Sequence, residues 1–475
     1  MTLASNVIAM AADFDELDAK IQDGMNSHAI PGVAVAVVAD GQEYIKGYGV
    51  TNVDHPVPVD GDTVFRIGST TKTFTGTAAM RLVDQGRLEL DAPVQRYLPD
   101  FAVSDPKASA EVTVRHVLNH TPGWLGDNLQ DFGRGDDALA EYVASMALLP
   151  QLTAPGSVFA YNNAALVVAG RIIEVVTGST YEDAVRELVI DPLELGHTRF
   201  FSDEIIGFNI AAAHKVTDGK PVVDNAAWEF PRSCNPTGAL MSSARDQLRY
   251  AGFHLGDGTA TDGTRLLSRD ALVAMRSNPG PGGTLQIELT GIGITWMLRP
   301  SAEGPTVAQH GGTWQGQQSG FFMVPDRGFA MTVLTNSDGG AHLLAELFAD
   351  DWSLRRFAGV SNPPATPANL SASDLSEFEG RYMTSVIAPD GKTLESTIEL
   401  HTDDGRLDGT ITTCDPSSDA EPLENNRVGF AFYRPDFALD IGQDGKPSGT
   451  RSDFVRNPDG AIAWLRNSGR LFSRQ

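Results

Sequence analysis

Cysteine is scarce in this 475-residue chain: Cys234 and Cys414 are the only two, and they lie far apart. That excludes a disulfide framework and a cysteine-based metal site, and predicts two free thiols. Basic residues are also in deficit. With 36 Lys and Arg against 61 Asp and Glu, the formal net charge of -25 argues against a nucleic-acid or anionic-membrane surface, because both need clustered cations. No stretch approaches the roughly 18 consecutive apolar residues of a membrane helix. Residues 1–13 lack the basic start and long apolar run of a secretory signal, the apolar segment at 7–12 being too short. Together these absences predict a cytoplasmic protein that engages neither nucleic acid nor membrane.

What is present describes an ordinary globular protein, 41% hydrophobic and 20% charged, long enough for more than one core. Phe14, Leu17, Ile21 and Met25 recur at helical spacing behind Asp13 as an N-cap. The β-branched run at 33–38 and the segment at 43–50 flank Asp40-Gly41 and predict a hairpin of buried strands. Residues 74–83 read as a helix buried on all sides and ended by Gly86. Residues 88–196 are predominantly helical, most clearly at 138–149, 164–176 and 181–190. Strands resume at 238–241, 293–297, 320–324 and 329–334, the last two joined by a turn at Pro325-Asp326-Arg327-Gly328. A helix at 341–357 closes the unit. The expected architecture is α+β: an antiparallel sheet flanked by helices with an inserted helical subdomain, spanning residues 1–360. Residues 361–374, rich in Pro, Ala, Ser and Asn, read as a linker. Short alternating segments between Asp-Gly, Pro and Asn turns predict a small β-barrel or sandwich over 375–475.

Chemistry concentrates in the stretch Arg66-Ile67-Gly68-Ser69-Thr70-Thr71-Lys72. Residues at i and i+3 share a helix face, so the Lys72 amine can reach the Ser69 oxygen and activate it without a histidine. A second Ser-x-x-Lys, Ser104 to Lys107, holds Pro106 inside the spacing in a polar loop, which breaks the register. Alone, the Ser69 spacing fits equally well a serine helix cap with a solvated lysine.

Two further segments bear on that choice. Tyr161-Asn162-Asn163 stands at the start of a helix. A tyrosine beside a cationic lysine can be biased toward phenolate and shuttle the serine proton, while Asn163 can donate to a substrate carbonyl. The bland alternative is a buried tyrosine and an asparagine cap. His310-Gly311-Gly312-Thr313-Trp314 precedes the strand at 320–324. Its glycines allow close backbone approach, and the Ser69 and Thr313 N–H groups together suit an oxyanion hole; a simple bulge is the competing reading. His254-Leu255-Gly256 has a comparable spacing, but Gly256 there reads as a helix end.

Taken in order, Ser69-Thr70-Thr71-Lys72, Tyr161-Asn162-Asn163 and His310-Gly311-Gly312 resemble the three motifs of the serine β-lactamase-like superfamily. The chain looks nearest to the class C β-lactamase-related branch, with its penicillin-binding-protein-type esterases and D-aminopeptidases. Residues 65–68, 117–123 and 238–243 support this, over roughly residues 14–358. The resemblance implies Ser69 as acylated nucleophile, Lys72 and Tyr161 as its activating groups, and Asn163 and His310 in substrate binding and proton traffic. Gly312, Thr313 and Trp314 complete the expected binding edge. His116 and His120 sit at i and i+4 without a third ligand and match a structural segment of the family, so no metal and no cofactor are expected. True β-lactamases of this type usually carry lysine where His310 stands, which shifts the expectation toward an ester or amide substrate, small molecule or short peptide. Acyl transfer as in peptide cyclisation, β-lactam hydrolysis and a non-catalytic penicillin-recognising binder stay open, as does homo-oligomerisation. The C-terminal segment, including Phe378-Glu379-Gly380-Arg381-Tyr382, is similar to lipocalin-like domains appended to some of these enzymes. Such a domain could overhang the site, with Arg434, Arg451 or Arg456 meeting a substrate carboxylate, although a solvated surface arginine is the more ordinary reading of each one singly. Trp124, Trp228 and Trp314 are candidate pocket walls, against the alternative of ordinary core tryptophans.

Overall fold

The computed structural model describes residues 14–475 except 369, 404–405, 419–420 and 443–444. The expected cap Asp13 and the N-terminal stretch before it lie outside the described residues. Helix α1 (Asp15–Ser27) buries Leu17 and Ile21, as its apolar spacing requires. Strands β1 (Gly32–Ala39) and β2 (Gln42–Gly49) form the expected hairpin, and Asp40 and Gly41 both take positive φ, the mirror turn that suits strand twist. They join β3 (Gly291–Ile292), β4 (Met297–Arg299), β5 (Val307–Trp314), β6 (Gln317–Val324) and β7 (Phe329–Thr335) in one sheet. The order is β2-β1-β7-β6-β5-β4-β3, antiparallel at every pair.

Strand β1 shows why its apolar run is unbroken. Ala34 and Ala36 enter a large core under the helical layer, while Val33, Val35 and Val37 enter a second core with Leu17, Ile21, Leu343 and Leu347. Both faces of the sheet are covered, so neither face of β1 can be polar. Helix α2 (Thr71–Asp84) runs through the larger core, buried from Thr71 to Met80. Its hydroxyls are tolerated there because each finds a partner: Thr73 donates to the Thr70 carbonyl, and Thr75 and Thr77 meet the Tyr181 and Tyr250 hydroxyls, all at 2.8 Å.

Three predicted elements differ. Residues 235–238 form a helical turn opened by Pro236, and only Met241–Ser243 is extended, paired with Val64–Arg66 outside the main sheet. Residues 293–296 are the turn between β3 and β4: Thr295 takes φ +62° and Gly293 N–H donates to the Trp296 carbonyl at 2.8 Å. The helix expected at 341–357 is broken once: Gly340–Leu344 runs on into Ala345–Ala349, and a second helical run ends in Leu354–Ala358. Asp351, at φ +55°, stands in the break. Pro106, read as a loop residue, opens the short helix Pro106–Glu111, for which Asp105 is the cap.

Beyond the sheet, β8 (Gly380–Ile387), β9 (Thr393–Asp403), β10 (Arg406–Cys414), β11 (Glu424–Arg434), β12 (Phe437–Ile441), β13 (Pro447–Arg456), β14 (Ile462–Asn467) and β15 (Arg470–Arg474) close into an eight-stranded barrel. Tyr382, Phe430, Phe454 and Leu465 are among the residues of its interior cluster. The barrel is tied to the helical layer through Ile387, whose N–H donates to the Asp127 carbonyl at 2.8 Å and whose carbonyl accepts from Leu129 N–H at 2.8 Å. A second tie is the buried ion pair Arg466–Asp453, with Asp453 also accepting from Thr284. Among the described residues no single helix is long and apolar enough to cross a membrane.

Candidate active site

Ser69 sits in the turn Gly68–Thr70 that leads directly into α2. Gly68, at φ +49°, makes that turn and lies against β5: a Cβ on it would stand 2.7 Å from Thr313 N. Gly312 answers from the other side, where a Cβ would meet the Ile67 carbonyl at 2.0 Å and Ser69 N at 2.7 Å. The glycines thus let the turn and the strand edge touch. The two-residue turn after Trp314 makes Trp314–Gln317 the closing pair of the hairpin, and by alternation Thr313 N–H points away from β6, toward the Ser69 turn.

Lys72 is wholly buried, with Nζ 2.9 Å from Ser69 Oγ and donating to the Thr237 carbonyl at 2.7 Å. Burial, reinforced by the charge of Arg470, holds its amine well below the usual lysine range. Tyr161 precedes helix α3 (Asn163–Thr177) and lines the same cavity as Ser69. Its ring centre is 5.0 Å from Lys72 Nζ. Burial pushes the Tyr161 phenol up to about 12, against the pull of Ser69 and Arg470. Both shifts favour the uncharged forms, a phenol facing an amine, over a phenolate beside a lysinium. The reason is that both groups are desolvated together, which penalises each charge.

His310 does not reach the cavity. It is fully buried, its Nδ1–H donates to the Gly311 carbonyl at 2.7 Å, and its ring centre is 6.2 Å from that of Tyr161. Burial, with Lys72 nearby, lowers it to about 3, so it is neutral. His120 stacks on Tyr161 at 4.7 Å and accepts from Asn162 N–H through Nδ1 at 2.8 Å, while His116 Nδ1 accepts from Thr113 N–H in a helix cap. Among the described residues no cluster of three or more His, Cys, Asp or Glu side chains suits a metal ion. Lys107 is exposed and pairs with Glu111, away from Ser104.

A cavity of about 470 Å³ opens on Ser69, Tyr161, Asn163, Gly312, Thr313 and Trp314. Its other walls include Phe230, Leu285, Ile287 and Phe348. Trp124 is buried against Phe101, and Trp228 packs against a small cluster of Val64, Ile205 and Met241, so neither is a wall of this cavity. The barrel contributes an arginine to the cavity, and it is none of the three the overhang reading offers. Arg434 and Arg451 are engaged by Glu288, and Arg456 by Asp436 and Glu377. Arg470 takes the place instead, lining the cavity with its guanidinium 4.7 Å from the Tyr161 ring centre. Arg470 Nε donates to Asp127 Oδ2 at 2.9 Å, and Asn163 Nδ2 donates to Asp127 Oδ1 at 2.7 Å. Tyr161 N–H donates to the Gly469 carbonyl at 2.8 Å, so the turn between β14 and β15 is seated on the tyrosine itself. Neither Asp127 nor Arg470 belongs to a recognisable motif; only the turn-forming Ser468-Gly469 before Arg470 is visible in sequence, and it does not say where the turn points.

Fold and site together define a member of the family described as Beta-lactamase: residues 17–354 match that family, and the chain belongs to it. Among individual proteins, it is 36% identical over 359 residues to penicillin-binding protein 4 of Amycolatopsis lactamdurans, covering 75% of this chain and 93% of that one. Unguisins hydrolase ungD of Aspergillus violaceofuscus is 27% identical over 251 residues, 50% of this chain and 44% of that protein. Crystal structures of SurE superpose with a TM-score of 0.71 over 97% of this chain and 99% of theirs, at 24% identity, and at 25% for SurE with D-Leu.

Proposed function

We propose that the chain is a cofactor-independent serine hydrolase that cleaves an ester or amide bond through an acyl-Ser69 intermediate. The observation that carries this reading is the 2.9 Å approach of the wholly buried Lys72 amine to Ser69 Oγ. A neutral amine in that position accepts the serine proton as Oγ attacks the substrate carbonyl carbon. The oxygen of the tetrahedral intermediate gains negative charge between Ser69 N–H and Thr313 N–H. Collapse breaks the bond to the leaving alcohol or amine, which takes a proton relayed from Lys72 through the Tyr161 phenol, whose ring stands beside Lys72 in the cavity that Ser69 lines. Water then attacks the acyl carbon, Ser69 regains its proton, and a carboxylic acid leaves.

Substrate class follows from the walls. The cavity is of a size for a small molecule or short peptide, with apolar sides and Arg470 as a positive group facing it. A carboxylate-bearing peptide or ester suits that balance, and the likeness to SurE, solved with D-Leu, favours a D-configured residue. With His310 buried, the guanidinium that lines the cavity is that of Arg470 from the barrel, paired with Asp127. A panel of p-nitrophenyl esters, D- and L-amino-acid anilides and a chromogenic cephalosporin tests the reading. Turnover of esters or D-residue amides is expected; preference for the cephalosporin, or for L-anilides, would overturn it.

A further inference from the structure

Asn163 is oriented by a carboxylate, and the orientation decides what it offers a substrate. Asp127 carries two ties to its surroundings from the barrel: its main-chain carbonyl accepts from Ile387 N–H at 2.8 Å, and its carboxylate is clamped by Arg470 at 2.9 and 3.4 Å. Burial alone would raise the Asp127 carboxyl, but Arg470 and Asn163 outweigh it and hold it below the usual carboxylate range. An ionised carboxylate only accepts, so the Asn163 amide must present Nδ2 to it, as it does at 2.7 Å. Its Oδ1 therefore lies on the other side of the amide. No hydrogen bond from the protein reaches that oxygen among the described residues, and Asn163 lines the cavity beside Ser69 and Tyr161.

We propose that Asp127, held by Arg470 of the barrel, fixes Asn163 with its amide oxygen toward the cavity, so that the site reads an N–H on the acyl portion of its substrate. The sequence reading had Asn163 donating to a substrate carbonyl; the geometry assigns it the opposite part. The inference rests on the hydrolase reading and narrows it: the acyl donor is an N-acylated amino acid or peptide, recognised by the amide N–H next to the scissile carbonyl. Asp127 is a positioning residue here, since it acts on substrate only through Asn163.

Two probes separate the possibilities: the p-nitrophenyl ester of N-acetyl-D-leucine and its α-acetoxy analogue, in which oxygen replaces the N–H. The wild-type protein is expected to favour the N-acetyl ester in kcat/KM by about 10-fold or more, because the analogue leaves a buried acceptor unpaired and sets two lone pairs against each other. Asp127→Asn, which frees the Asn163 amide to turn, is expected to shrink the preference to within about 3-fold. A merely structural loss would lower both rates and leave their ratio unchanged. If both probes acylate Ser69 and the wild type treats them within about 3-fold of one another, the inference is overturned while the hydrolase reading stands. Retention of the full preference by Asp127→Asn overturns it likewise. Failure of both probes to acylate Ser69 overturns the hydrolase reading and this inference with it. The wild-type comparison decides whether or not the variant folds.

Discussion

Arg470→Gln is the perturbation whose consequence can be worked from distances. The Arg470 guanidinium and Lys72 Nζ lie 4.7 and 5.0 Å from the same Tyr161 ring centre, so they are at most about 10 Å apart. At an effective dielectric of about 20, two unit charges about 10 Å apart interact by roughly 1.7 kcal/mol, or a little over one pKa unit. Burial is the larger cause of the lowered Lys72 pKa, with Arg470 second, while Asp127 pulls the other way. Removing Arg470 therefore leaves Asp127 unopposed, and the Lys72 pKa rises. If neutral Lys72 is the base, kcat/KM climbs with pH through that pKa, and its acid limb should move up by about one pH unit. The assay is the pH profile for an uncharged substrate such as p-nitrophenyl butyrate at low salt, where screening is least. Adding Asp127→Asn removes the opposing charge and should return the limb toward its wild-type position. A profile of Arg470→Gln that superimposes on the wild type, or moves down, would refute the electrostatic reasoning.

Three other predictions follow from the same geometry. Gly312→Ala drives a methyl to 2.0 Å from the Ile67 carbonyl and 2.7 Å from Ser69 N, and should cost about 100-fold in the rate of Ser69 acylation, read by stopped-flow release of p-nitrophenol. Gly469→Val, at φ +76°, places its Cβ 2.4 Å from Leu285 and 3.2 Å from Tyr161 Cβ; about a 10-fold loss of acylation with barrel circular dichroism retained is expected. Lys72 is lowered by burial, so between its folded and unfolded pKa values the unfolded chain binds the extra proton and stability rises with pH. Urea denaturation over the pH range just below the ordinary lysine pKa should show that rise, at most about 1.4 kcal/mol per pH unit, and Lys72→Met should flatten it; an equal slope in the variant would contradict the burial argument.

Local signals carried much of the fold into the sequence. The β1–β2 hairpin, the buried α2 and the β6–β7 turn each rest on short-range patterns that survive in three dimensions. So do Ser69 and Lys72, because an i, i+3 spacing at the head of a helix is a local fact. The misreadings arise where a distant partner decides. Residues 293–297 are apolar enough for a strand, yet Thr295 turns to donate its N–H to the Leu118 carbonyl at 2.9 Å, and Gly76 leaves it the room. Composition likewise does not reveal that Tyr161 and Lys72 are buried together. Arg470 was invisible for the same reason as Asp127: 343 residues separate them, and neither meets a motif until β15 brings one to the other. Arg434 and Arg451 are as plausible from sequence, and their pairing with Glu288, with Arg451 also bound to the Pro363 carbonyl, appears only in three dimensions.

The central claim is that Ser69 is acylated. Intact-mass spectrometry of the full chain, quenched shortly after mixing with a p-nitrophenyl ester, measures this directly. A single acyl adduct mapping to Ser69 is expected, absent from Ser69→Ala and slowed in Lys72→Met. No adduct on the native protein, or an equal adduct on Ser69→Ala, would contradict it.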